Sequence, residues 1–125
     1  MSKTALLFAG QGAQAVGMGK DLAEKFSSAR SWFDRANTAL GYDLAAGCFN
    51  GPDTELTKTE NAQPGIFLVS WVAFQSLKEQ VPSMQFNATA GLSLGEFTAL
   101  AASGAMSFED GLKVVRQRGR FMQEA

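Results

Sequence analysis

The stretch Phe86-Asn87-Ala88-Thr89-Ala90-Gly91-Leu92-Ser93-Leu94-Gly95-Glu96 decides the fold, because it carries a strand, a glycine turn and a helix start in succession. Phe86 to Ala90 is a short strand candidate of weak β character, and the alanine-rich run after Glu96 predicts a helix to about Ser103. Between them, Gly91-Leu92-Ser93-Leu94-Gly95 has the spacing of a nucleophile elbow. In such a turn the glycines let the serine hydroxyl rise above the sheet edge, and the helix N-terminus offers backbone N–H donors to a developing oxyanion. A plain serine N-cap after a glycine turn is the competing reading of Ser93.

A second strand candidate, Thr4 to Phe8, runs into Ala9-Gly10-Gln11-Gly12. Two strands separated by helices imply a parallel α/β sheet, which two strands alone would leave with unpaired edges. The G-x-G-x-x-A pattern of Gly10 to Ala15 resembles a dinucleotide fingerprint, but that motif needs a second strand ending in an acidic residue about 20 residues on. Asp34 instead lies inside a helical pattern, so a loop donating the Gln11 backbone N–H towards the Ser93 elbow fits better.

Elsewhere, apolar residues recur at three- and four-residue spacing from Gly19 to about Leu40, predicting one helix or two in series. Gly41 and the segment from Gly51 to Thr59 are expected as loops or short turns. Asn61 to Pro64 is expected to start a helix with Pro64 in its first turn, and Ile66 to Leu77 to cross the core. Ser107-Phe108-Glu109-Asp110 predicts a capping box opening a last helix, inside which the chain stops at Ala125 without a C-cap, as a truncated piece would. At about 100° per residue, Arg118 falls within the apolar half of that helix, among Phe108, Gly111, Leu112, Val114, Val115, Gly119, Phe121 and Met122. A guanidinium there must meet a carboxylate such as Glu96, reach solvent, or bind an anion in a cavity.

With 125 residues the chain has room for one domain, and its 46% apolar and 18% charged residues fit a cored globular protein. A net charge of −1 provides no footprint for nucleic acid, and Gly65 to Phe74, the longest apolar stretch, is half the ~20 residues a membrane span requires. A cytoplasmic location is therefore expected. Cys48, the sole cysteine, excludes a disulfide framework or thiolate cluster and is expected as a small buried residue. Histidine is absent, so the usual base for serine chemistry is missing from these residues.

The stretches FAGQGAQAVGMG, Gln63-Pro64, AGLSLGEFTALAASGAMSF and RQRGRFMQEA together resemble the malonyl-CoA:acyl-carrier-protein transacylases of fatty acid synthesis, in the order that family has them. The resemblance implies that residues 1–125 are the N-terminal part of an acyltransferase domain, a truncated α/β-hydrolase-like subdomain with a parallel sheet. It implies Ser93 as nucleophile, the Gln11 and Leu94 amides as the oxyanion hole, Arg118 as the grip on the malonyl carboxylate, and Gln63 as a pocket-lining residue. Malonyl-CoA and acyl carrier protein are the implied substrates, with no cofactor or metal, and the base is a histidine from the second half of the family's catalytic unit. Leu92 is a departure, since the family usually has histidine directly before the nucleophile. A serine esterase and a non-catalytic acyl-binding piece are the alternatives; Arg118 separates the transacylase from an esterase for neutral acyl groups, which gains nothing from a buried cation, and the missing histidine favours the non-catalytic piece for this chain alone.

Overall fold

The computed structural model describes residues 2–125. The chain runs β1 (Ala5–Phe8), α1 (Lys20–Lys25), α2 (Ser27–Leu40), α3 (Leu44–Asn50), α4 (Asp53–Leu56), α5 (Thr59–Gln80), β2 (Ala88–Gly91), α6 (Leu94–Ala102) and α7 (Phe108–Glu124). The two strands pair in parallel, with Ala5 opposite Ala88 and Phe8 opposite Gly91. Side chains alternate along β1, so Leu6 and Phe8 turn towards the core while Leu7 is 79% exposed.

α5 is the axis of the molecule. Its 22 residues bury Ile66, Phe67, Leu68, Trp71, Val72 and Phe74, which is why no polar stripe is visible in this part of the sequence. Edge-to-face and stacked rings, Trp32 on Trp71 and Phe67 on Phe108 among them, join α2, α5 and α7 into one core. Cys48 is fully buried there, as its isolation in the sequence suggested. Among the described residues, no helix is long and apolar enough to cross a membrane.

Of the two readings of the Gly19 to Leu40 pattern, two helices in series is the one found, with the break at Phe26, which turns extended at φ −123° and ψ 124° and packs against the core. Other local expectations are corrected. Asp43 caps a helix, α3, where none was expected, its side chain accepting from the Ala46 N–H. The Gly51 to Thr59 segment contains the single turn α4. Finally, α5 begins at Thr59, so Pro64 lies beyond the first turn and removes one interior hydrogen bond from a helix held by burial on all sides. β2 is also offset, running Ala88–Gly91 rather than Phe86 to Ala90.

Candidate active site

β2 ends at Gly91, and within three residues the chain has entered α6. Ser93, at the junction, has φ 57° and ψ −116° and is the one non-glycine with positive φ among the described residues. Such a conformation costs on the order of 1–3 kcal/mol and persists only where the surroundings enforce it. Here they do: a Cβ on Gly95 would stand 2.2 Å from the Phe8 carbonyl oxygen, so α6 is seated directly on the end of β1. Ser93 makes no side-chain capping bond, and its backbone is not in the extended conformation of an ordinary N-cap, which overturns the plain-cap reading. Its hydroxyl is presented at the surface of the turn. Leu94 is buried immediately behind it, and its amide belongs to the first turn of α6, where N–H groups have no partner within the helix.

The loop after β1 abuts this turn. A Cβ on Gly10 would lie 2.8 Å from the Leu92 carbonyl oxygen, so only glycine allows the approach. The loop is closed by Gly12 N–H donating to Gln14 Oε1 at 2.8 Å and Ala13 N–H donating to the Gly10 carbonyl at 3.3 Å, which leaves the Gln11 amide uncommitted among the described residues. The Leu92 side chain is 85% exposed, so the position where the resembling family usually has histidine faces outward.

α7 supplies the cation. Gly119 permits the closest approach of α7 to the start of α5, since a Cβ there would meet the Thr59 carbonyl oxygen at 2.8 Å. One residue earlier, the half-buried Arg118 donates from Nη1 to Gln63 Oε1 at 2.6 Å and from Nη2 to Ser93 Oγ at 2.9 Å, with its guanidinium 5.4 Å from the Phe97 ring centroid. No carboxylate among the described residues forms an ion pair with Arg118, so a pairing with Glu96 is overturned; Glu96 is exposed.

Gln63 is fully buried and carries the contact further, donating from Nε2 to Thr59 Oγ1 at 3.0 Å and to Met122 Sδ at 3.0 Å. Thr59 Oγ1 in turn donates to Gln11 Oε1 at 3.2 Å. Ser93, Arg118, Gln63 and Gln11, separately singled out in the sequence, thus meet in one hydrogen-bonded string. Thr59, Phe97 and Met122 belong to the same site and were missed; the four-residue spacing of Thr59 and Gln63 on one helix face was the available signal.

The apolar half of α7 divides in two. Phe108, Gly111, Leu112, Val115 and Gly119 are buried, whereas Val114, Phe121 and Met122 stay open and, with Phe97, Gln117 and Arg118, line a recess of about 600 Å³. Cys48 offers no competing nucleophile, because burial pushes its thiol up to about 12. Among the described residues, no group of three or more His, Cys, Asp or Glu side chains is placed to hold a metal ion.

The family model described as an acyl transferase domain matches residues 5–125. Over 125 residues the chain is 47% identical to the malonyl CoA-acyl carrier protein transacylase of Bacillus subtilis (strain 168), covering all of this chain and 39% of that protein. Among solved structures, the malonyl CoA-acyl carrier protein transacylase from Clostridium perfringens matches with a TM-score of 0.89 and 46% identity, over 98% of this chain and 38% of that one. MCAT from Streptococcus pneumoniae matches with a TM-score of 0.92 and 43% identity, over 98% and 39% of the respective chains. The chain therefore spans 39% of the length of the curated relative.

Proposed function

The chain belongs to the acyl transferase domain family, and from that premise we propose that it carries the nucleophile, oxyanion donors and carboxylate clamp of a transferase moving malonyl from coenzyme A to the thiol of acyl carrier protein. Ser93 Oγ attacks the thioester carbonyl, its proton passes to a base, and the coenzyme A thiolate leaves with a proton. The carrier thiol then attacks the serine ester and returns the hydroxyl, so one difficult exchange becomes two easier ones. The Gln11 and Leu94 amides receive the oxyanion in each step. The 125 residues contain no histidine, so the base belongs to the part of the relatives' length that this chain does not span.

The observation that carries this reading is the half-buried Arg118, within hydrogen-bonding distance of the nucleophile and without a carboxylate partner among the described residues. A planar guanidinium fork suits a carboxylate bidentately, and a free carboxylate distinguishes malonyl from acetyl. An esterase for neutral acyl groups gains nothing from a cation there, which disfavours that alternative.

The test uses a full-length transferase made by joining these 125 residues to the remainder of the Bacillus subtilis relative. Brief incubation with malonyl-CoA should add one malonyl group by intact mass, and Ser93→Ala should abolish the adduct. An adduct retained in the Ser93→Ala protein would overturn the assignment of the nucleophile.

A further inference from the structure

Three elements converge on Thr59. It is the first residue of α5, its backbone N–H donates to Gln123 Oε1 of α7 at 3.1 Å, and its hydroxyl stands between Gln63 Nε2 and Gln11 Oε1. Resting on the malonyl-transfer reading above, we propose that Thr59 is a positioning residue: its hydroxyl ties the loop carrying the Gln11 amide to the Gln63–Arg118 pair, holding oxyanion donor and carboxylate clamp in one mutual geometry.

The directions of the two bonds made by Gln63 with Arg118 and Thr59 follow from one group. Arginine can only donate, so Gln63 must turn its carbonyl oxygen to Arg118 and its amide nitrogen to Thr59. That nitrogen can only donate, so Thr59 Oγ1 accepts from it, and its hydroxyl proton is free to be donated to Gln11 Oε1. Hydrogen bonds aligned in this way polarise one another. Methionine sulfur, the other acceptor for Gln63 Nε2, is a weak one and does not replace the hydroxyl.

Valine matches threonine in shape and lacks the hydroxyl, so Thr59→Val cuts the string at its middle while leaving the packing in place. Gln63 Nε2 then loses its strong acceptor, and the Gln11 side chain is released from α5. Thr59→Ser keeps the hydroxyl. A small displacement of a group that meets the transition state is costly in rate, so kcat should fall for malonyl-CoA and acetyl-CoA alike as the Gln11 loop loosens. KM should rise for malonyl-CoA alone, because only that substrate uses the clamp.

The experiment is steady-state transfer from both thioesters by the joined transferase and its two Thr59 variants, with melting temperatures measured alongside. Thr59→Val should lose roughly tenfold in kcat/KM for malonyl-CoA, while Thr59→Ser stays within roughly twofold of the parent. Unchanged kinetics in Thr59→Val would overturn the positioning role. An equal loss in both variants, accompanied by lower melting temperatures, would also overturn it by reducing Thr59 to a structural residue. A parent that transfers no malonyl at all would overturn the malonyl reading itself, and the positioning role with it. Independently of activity, hydrogen exchange of the Gln63 side-chain amide in the 125-residue chain should be slowed in the parent and in Thr59→Ser but not in Thr59→Val. Equal exchange in all three would show that the tie is absent.

Discussion

Arg118 Nη2 donates to Ser93 Oγ across 2.9 Å, so the turn serine and the cation of α7 are in direct contact. The serine oxygen accepts from the guanidinium and keeps its own proton free to be given to a base. On the proposed reading, the incoming carboxylate competes for the same fork, and the cation passes from the resting hydroxyl to the substrate.

Arg118→Ala in the joined transferase should cost roughly 2–5 kcal/mol in malonyl transfer, the usual penalty for truncating one partner of a buried charged pair. Acetyl transfer should suffer much less, having no carboxylate to leave unpaired. The ratio of kcat/KM for the two thioesters, before and after substitution, measures the difference. A parallel fall for both would identify Arg118 as a support for Gln63 rather than a substrate clamp.

Ser93→Gly should make the protein more stable while removing the hydroxyl proposed as its nucleophile. Glycine adopts φ 57° without the steric cost serine bears there, so a gain of roughly 1 kcal/mol is expected in denaturant unfolding. Ser93→Ala, which keeps the strain, should show no such gain. Equal stabilities for the glycine and alanine variants would show that the turn is not strained.

Gly95→Ala should cost roughly 3 kcal/mol or more, because the new methyl group would meet a carbonyl oxygen of β1 at 2.2 Å and main chain cannot step aside as a side-chain tip can. Loss of the cooperative transition, or a large fall in its midpoint, is the expected readout. A near-neutral substitution would mean that α6 is not seated on β1 as described.

Cys48 should resist thiol reagents at mildly alkaline pH as long as the chain is folded. Its pKa is pushed up to about 12 by burial, so the reactive thiolate is scarce and its access is closed. The ordinary value is 9.0, and a thiol that binds its proton more tightly when folded favours the folded state below that value and loses the advantage as pH rises towards 12. Labelling with and without denaturant checks the first point; rapid labelling of the native chain would contradict it.

Both strands, the elbow and the direction of the last helix were legible because each depends on neighbours in the sequence. Gly91 and Gly95 flank Ser93, Gly10 comes two residues after Phe8, and the position of Arg118 follows from helical spacing alone. α3 was hidden because Gly41 and Gly51 bracket it closely, Gly47 interrupts its apolar residues, and only Asp43 signals its start. The break at Phe26 and the depth of Pro64 in α5 are decisions made by the core, which local pattern does not see. Thr59 offered only its four-residue spacing from Gln63, which does not by itself show a site. Its importance comes from Gln11, 48 residues away in sequence, and from a glycine on α7 that brings the two helices together.

The two parts of the site are built from different materials. The turn that holds Ser93 is fixed where main chain meets main chain, Gly95 against Phe8 and Gly10 against Leu92, whereas the recess beside Arg118 is walled by the side chains of Phe97, Val114, Phe121 and Met122. Backbone atoms are the same in every residue, so Phe8 and Leu92 can vary without disturbing the turn, while the glycines cannot. The wall has the opposite freedom. Exchanging Val114 or Phe121 for smaller or larger side chains resizes the recess without touching the hydrogen-bonded string at Ser93, so, on the proposed reading, acyl preference can be retuned one substitution at a time while the turn is inherited intact.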